Sequence, residues 1–298
     1  MSSAASFPHD DGADDGSSLV RIAGLHIYPI KSCAGLALPS VALAATGLAH
    51  DRQWMLVDAD GEFVTQREYA RLALVQPQLG ADGALQLAAP GAAPLGLPAT
   101  ATGERLRVRV WDDVVEAHAA SATADRWFSD FLGEPVRLVQ FAPGQRRLSS
   151  ARWTGALQAE NAFSDGYPIL VVSAAALDEL NRRLAAQGHP VVTMARFRPN
   201  LVLDGLDQHG EDHLDELVFE TPDGPVRLRL VKPCPRCPVP NIDPATAVAG
   251  TEPGDTLASY RTDARVGGAI TFGMNAVIVA GVGHRLAVGQ GGRGTVRF

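Results

Sequence analysis

Cysteine is scarce in this chain: three among 298 residues, at positions 33, 234 and 237. So small and odd a number excludes a disulfide framework and fits a reducing compartment. An excess of positive charge is missing too. The net charge of −7 excludes a general nucleic-acid binder, whose surface would be basic. No apolar run reaches the roughly 18 residues of a membrane helix. Residues 1–18 are polar, acidic and rich in Ser and Ala, with neither a basic n-region nor an apolar h-region. They are expected to be a disordered tail on a cytoplasmic protein that meets no membrane. None of the histidines reads as a metal ligand, and His209-Gly210-Glu211-Asp212-His213 reads as an exposed turn. The glycine-rich stretch 289–294 lacks the Lys-Ser/Thr and following helix of a P-loop, and reads as a flexible hairpin. There is no serine nucleophile elbow and no internal repeat.

What is present suits a packed core: 46% hydrophobic and 20% charged residues. The length fits one large domain or two modest ones. Residues 25–30 read as a strand stopped at Lys31-Ser32-Cys33-Ala34-Gly35, and residues 36–43 as a second. Residues 53–58 turn at Asp60-Gly61 into 62–65, a hairpin signal. Short apolar runs continue through 72–117, with 91–103 expected as a surface loop. Many short strands at close spacing predict a small β-barrel or sandwich.

From Ser121 the pattern changes. Helical spacing covers 123–132 and stops at Gly133. Strands are expected at 136–141, 169–172 and 201–204, around an Arg-rich loop at 143–159. Ser173 caps a helix over 174–187, with Gly188 beyond. A further hairpin precedes the cysteines. A short helix follows at 255–260, then a small hairpin around Gly273 and a strand at 276–282. The fold class is mainly β with a few helices (α+β).

One stretch concentrates reactive groups: Lys232-Pro233-Cys234-Pro235-Arg236-Cys237-Pro238-Val239-Pro240-Asn241-Ile242-Asp243-Pro244. A thioredoxin-like pair would open a helix, which this proline density forbids. A structural zinc site would need a second ligand pair, leaving Cys33 and scattered histidines to supply it. Two inert thiols in a stiff turn are a third reading. The fourth is a single thiolate, kept ionised by Lys232 and Arg236, that ligates a soft metal. One protein ligand is too few for a bare ion, so the metal would arrive inside a cofactor. Such a cofactor needs an anion site. Lys31-Ser32, Arg52, Arg67, Arg196 and Arg198 all lie at strand ends, where loops can bring them to one cleft. Guanidinium forks match phosphate geometry.

Tyr28-Pro29-Ile30-Lys31-Ser32-Cys33-Ala34-Gly35, Gly47 and Asp51-Arg52-Gln53-Trp54-Met55 resemble the start of the N-terminal β-barrel domain of MOSC proteins. Phe197-Arg198-Pro199-Asn200-Leu201-Val202, Asp215-Glu216-Leu217, Cys234-Pro235-Arg236-Cys237 and Asn241-Ile242-Asp243-Pro244 resemble the MOSC domain itself. The resemblance runs from about residue 20 to the end. It implies an N-terminal β-barrel-like domain over 19–120 and a β-barrel MOSC domain over 121–298. It also implies a molybdenum cofactor (Mo-molybdopterin) with Cys237 as the protein ligand to the metal. Lys31, Ser32 and Arg52 would hold the pterin and its phosphate, Arg198 and Asn200 would contact the pterin, and Arg67 would lie near the cofactor. Cys234 matches the cysteine that is not a ligand. The family also carries an association with pyridoxal phosphate.

The activity implied is reduction of small N-hydroxylated compounds, amidoximes and hydroxylamines, in which two electrons and two protons release the oxygen as water. Some relatives carry a ferredoxin domain that is missing before Phe298. Electrons are therefore expected from a separate ferredoxin-like protein or flavin reductase. Pro240-Asn241 stands where the family has Thr-Thr, which bears on substrate preference. The alternative is a carrier of the cofactor or of sulfur on Cys237, without turnover.

Overall fold

The computed structural model describes residues 17–297. Residues 1–16, most of the expected tail, lie outside the described residues, whereas Ser17 and Ser18 already belong to the first strand. That strand, β1 (Ser17–Ile27), buries Val20 and Ile22, then Leu25 and Ile27. A register shift between Ile22 and Gly24 resets its phase, as a bulge does. The strand expected over 36–43 splits at Pro39 into β2 (Leu36–Ala37) and β3 (Ser40–Ala44), and β4 (Gly47–Leu48) returns along β3. β5 (Trp54–Val57) is buried on both faces. At the Asp60-Gly61 turn the hairpin contracts to one bridge, Val57 to Phe63. Asp58 ties the turn by accepting from the Asp60 and Glu62 amides, each at 2.9 Å.

β6 (Gln76–Leu79), β7 (Leu85–Ala88) and β8 (Leu95–Leu97) form a three-stranded sheet. β8 lies inside the stretch expected to be a surface loop. Its Leu95 and Leu97 are buried, so the loop reading fails on burial. β9 (Arg105–Val110) and β10 (Asp113–Ala119) pair as a hairpin. α1 (Ala122–Leu132) is capped at both ends: the Ser121 side chain accepts from the Ala124 amide, and Gly133 ends the helix in the left-handed region. β11 (Arg137–Phe141) follows, and the Arg-rich loop carries a short α2 (Ala151–Thr154). β12 (Ile169–Ser173) leads into α3 (Ala174–Ala186), with Ser173 as its cap. Then come β13 (Leu201–Asp204), β14 (Leu214–Thr221), β15 (Gly224–Pro235), α4 (Gly254–Ala258) and β16 (Thr262–Asp263). β17 (Ala269–Ala280), β18 (Arg285–Ala287) and β19 (Gly291–Val296) finish the chain.

Seven strands close a barrel in the order β12, β13, β1, β19, β14, β15, β17, and β17 pairs back onto β12. The sheet β5-β11-β10-β9 curls beside it as a half-barrel. The mainly β reading with few helices holds. Two C-terminal expectations do not. β17 runs unbroken through Gly273, where a hairpin was expected, because it must pair with β15 on one side and β12 on the other to close the barrel. The glycine stretch 289–294 supplies β19, which pairs with both β1 and β14. Its glycines serve close approach: a Cβ on Gly292 would lie 2.4 Å from the Phe219 ring.

The expected division at residue 120/121 does not follow the packing. β1 opens the chain yet belongs to the barrel, while α1 and β11 complete the first unit. Phe128 and Phe131 of α1 join Leu56, Leu85 and Leu138 in one core cluster, and β11 pairs with β5. Each large apolar side chain buried there contributes about 1.5–3 kcal/mol, which holds α1 to this unit.

The 209–213 segment is a buried 3-10 turn where an exposed one was expected. Glu211 is fully buried, and Asp212 pairs with Arg261 at 2.6 Å. His209 packs edge-on against Phe272, centroids 5.6 Å apart. Aromatic and ionic partners distant in sequence draw this polar segment inward.

Candidate functional site

Where the barrel meets the half-barrel, residues from both surround a cavity of about 450 Å³. Six cationic side chains line it: Lys31, Arg52, Arg67, Arg198, Lys232 and Arg236. Asp165 is the one carboxylate in the lining. The only two lysines of the chain are both there. In a chain of net charge −7, this concentration of one sign marks a site for an anion.

The first wall is a pair of crossed segments. The Arg52 amide donates to the Tyr28 carbonyl at 2.8 Å, and the Lys31 amide to the Trp54 carbonyl at 2.8 Å. Tyr28 is the post between two arginines, with the Arg52 and Arg198 guanidinium carbons 4.1 and 4.2 Å from its ring centroid. Buried Asp51 aims Arg52, accepting from its Nη1 at 2.8 and 2.7 Å and from the Tyr28 amide at 2.7 Å. This is a buried, doubly hydrogen-bonded ion pair, worth more than an exposed one. Arg198 donates to the Cys33 carbonyl at 2.7 Å. Burial, and then the neighbouring charge of Arg52, push Arg198 down to about 10. Two like charges held this close are relieved by an anion between them. Burial pushes the Tyr28 hydroxyl up to about 12, so it stays a neutral donor, to the Pro199 carbonyl at 3.2 Å.

Lys31 is buried and donates to the Phe163 carbonyl at 2.9 Å and to Asp165. Burial lowers its pKa and the Asp165 charge works against that. Burial acts upward on Asp165, but the pairing with Lys31 outweighs it and holds the carboxyl below the usual range. The Asp165 side chain is 71% exposed, so solvent screens the pair and Asp165 does not neutralise the wall. Arg67 sits over the Trp111 ring at 4.6 Å and donates to the Thr65 hydroxyl at 3.2 Å.

Backbone geometry singles out the same residues. Positive φ at non-glycine residues is uncommon. Among the described residues, Ser32 (70°), Arg52 (46°), Trp111 (56°) and Arg198 (57°) show it and line this cavity. Such strain collects at ligand sites, where the surroundings hold it in place.

The opposite wall is the cysteine loop. Cys234 is the last but one residue of β15 and Cys237 lies two residues beyond the strand, before a 3-10 turn at Val239–Asn241. No α-helix starts at the pair, so the thioredoxin-like reading loses its helix dipole. Among the described residues no three His, Cys, Asp or Glu side chains converge on a metal position, so the zinc reading loses its ligands. All three thiols are free. Cys33 is buried, Cys234 half-buried and Cys237 exposed on the cavity. Arg236 donates to the Cys234 sulfur at 3.1 Å, which corrects the expectation that it attends Cys237. Its Nε is buried without a partner, a donor left for a ligand.

Residues 19–135 match the MOSC N-terminal beta barrel domain and residues 158–291 match the MOSC domain. Mitochondrial amidoxime-reducing component 1 of Mus musculus is 36% identical over 250 residues, covering 80% of this chain and 71% of that protein. The chain belongs to the MOSC family. Mitochondrial amidoxime reducing component 2 of Homo sapiens is 33% identical over 250 residues, 80% of this chain and 72% of that protein. Molybdenum cofactor sulfurase of Arabidopsis thaliana is 28% identical over 274 residues, 83% of this chain but 32% of that protein.

Within this MOSC chain the cavity gathers Lys31, Ser32, Arg52, Arg67, Arg198, Asn200 and Cys237, the residues picked from the sequence. Arg196 is the exception among the cations: it turns away to Asp243 at 3.0 Å and the Pro240 carbonyl at 3.0 Å, bracing the loop after the cysteines. Asn200 lines the wall, but its amide is tied to the Leu170 amide and the His26 carbonyl, each at 3.1 Å. It staples β12 to β1. Trp111 and Asp165 carry no local motif that would single them out, whereas Tyr28 and Asp51 lie in the stretches that resemble MOSC proteins without having been given a role. Lys232 was singled out by its place at the head of the cysteine stretch, and it lines the same cavity.

The donor set fits a molybdenum cofactor. Arg67, Arg198, Lys232 and Arg236, which pair with no carboxylate among the described residues, and the Ser32 hydroxyl suit an anionic phosphate and a polar pterin. A free thiol on the same cavity suits a soft metal.

Proposed function

We propose that this protein is a molybdenum-cofactor-dependent reductase of N-hydroxylated compounds, amidoximes and hydroxylamines among them. A separate electron-donor protein, ferredoxin-like or a flavin reductase, supplies it in the cytoplasm. The observation that carries the reading is the cavity itself, six cations against one solvent-screened carboxylate with the Cys237 thiol beside them. Relatives named for amidoxime reduction support it. Lys31, Ser32, Arg52 and Arg198 would hold the phosphate and pterin, Arg67 would close that side, and Cys237 would bind the metal. When bound, the cofactor supplies the two-electron chemistry that turns an N-hydroxyl into N–H, two protons leaving with the oxygen as water. Asp51 and Tyr28 keep the guanidinium groups aimed, so the anion site is preorganised.

The test is protein purified from a host that makes the cofactor. Molybdenum and pterin fluorescence near one per chain, with reduction of benzamidoxime by an artificial donor, are expected. Absence of both molybdenum and pterin sinks the proposal.

A second reading is a carrier of sulfur or cofactor. The exposure of Cys237 and the similarity to a cofactor sulfurase favour it. A mass gain of about 32 Da on Cys237, one sulfur atom, with no reduction under any donor would select it.

A further inference from the structure

Trp111 is a large apolar residue left 40% exposed on the wall of a charged cavity. It occupies the turn between β9 and β10 with φ at 56°. For a bulky side chain this conformation is a true outlier that the surroundings must hold in place. The surroundings hold it there from three directions. Its Nε1 donates to Asp165 at 3.2 Å, the carboxylate that also pairs with Lys31. The Arg67 guanidinium lies over the indole at 4.6 Å, and the Phe63 ring meets it at 5.0 Å with the planes 52° apart. The exposed part of the indole lies on the cavity wall.

A rigid, half-exposed indole is a stacking platform. Little side-chain freedom is lost on binding, because the ring is already fixed. The cations around it repel a positively charged ligand. A flat ring without positive charge is what this surface accepts.

Resting on the reductase reading above, we propose that Trp111 is a specificity residue on which a flat, uncharged aromatic N-hydroxylated substrate stacks. The protein thereby prefers aromatic over small aliphatic substrates. Asp165, Arg67 and Phe63 are positioning residues for the indole. No bond is made or broken by Trp111.

The experiment compares benzamidoxime with acetamidoxime on holoenzyme, for the native protein, Trp111→Ala and Trp111→Phe. Calorimetric binding of each compound is measured beside turnover, with molybdenum content determined for every sample. In Trp111→Ala the ratio of kcat/KM for benzamidoxime over acetamidoxime should fall about tenfold, the size of one good aromatic contact. The loss should sit in KM, the Kd for benzamidoxime should rise in parallel, and Trp111→Phe should recover most of it. A ratio that stays within about twofold, or molybdenum lost from Trp111→Ala alone, overturns the proposal. The two readings fail separately. Preferential binding of benzamidoxime that depends on Trp111, without turnover, removes the reductase and leaves the platform. Turnover of both compounds with no Trp111 dependence does the reverse, and no binding of benzamidoxime removes the platform.

Discussion

Arg236 hydrogen-bonds the sulfur of Cys234, with Nη1 at 3.1 Å, and so leaves Cys237 as the free thiol on the cavity. The same guanidinium donates to the Phe197 carbonyl at 3.0 Å, which joins the cysteine loop to the segment carrying Arg198. The two cysteines therefore differ in duty, one tying the loop and one facing the ligand. Cys237→Ser is expected to abolish molybdenum binding. Cys234→Ser should lower occupancy by about tenfold at most, as a supporting residue does. Metal analysis of the two purified variants checks this, and equal loss in both would contradict the division of roles.

The arginine pair over Tyr28 makes an anion site that can be tested without any cofactor. Cofactor-free protein should gain thermal stability as inorganic phosphate is added, by about 2.7 kcal/mol at a hundredfold excess over Kd. Arg198→Ala and Arg52→Ala should each lose most of that gain. Sodium chloride at matched ionic strength is the control, and an equal gain from chloride would count against a phosphate site.

Gly35 is required by the ring it covers. A Cβ there would sit 2.4 Å from Cε1 of Tyr28, and that ring is held by Arg52 and Arg198. Gly35→Ala is expected to cost about 1–3 kcal/mol, the range for overpacking a filled site. Denaturant unfolding should show the loss. Phosphate-induced stabilisation should weaken with it, since the post between the arginines has moved.

Glu211 predicts a pH dependence of stability. Burial, with some help from the Asp212 charge, pushes its carboxyl up from 4.5 to about 7. A raised carboxyl pKa means the folded state holds the proton more tightly than the unfolded chain. The stabilisation is complete below 4.5 and is lost as pH rises through 7. Glu211→Gln keeps the shape without the ionisation. It should raise the Tm at about pH 8, by up to roughly 3 kcal/mol in stability, with little difference near pH 4. Melting curves across that range decide it, and a Tm difference that does not vary with pH would refute the assignment.

Much of this molecule was legible locally. Ser173 caps its helix at the expected residue, and Gly133 stops α1, because capping depends on a few neighbouring atoms. The apolar runs at 169–172 and 201–204 revealed β12 and β13, whereas the strand expected at 25–30 meets only the end of β1. Proline density around Cys234 and Cys237 excluded a helix there, because proline fixes φ and lacks a donor.

Other features were decided by tertiary structure alone. Residues 91–103 looked like a loop and 289–294 like a flexible hairpin because small residues dominate them, yet each supplies a strand once other strands pair with it. The 209–213 segment looks exposed by composition, and only Arg261 and Phe272 explain its burial. The residues that assemble the cavity follow the same division. Their identities, Lys31, Arg52, Arg198 and Cys237, stand in the sequence, because charge and thiol chemistry belong to the residue. Their convergence does not: Arg198 reaches the Cys33 carbonyl across 165 residues of chain. Closure of the barrel brings those ends together, and no local pattern encodes a contact made at that separation.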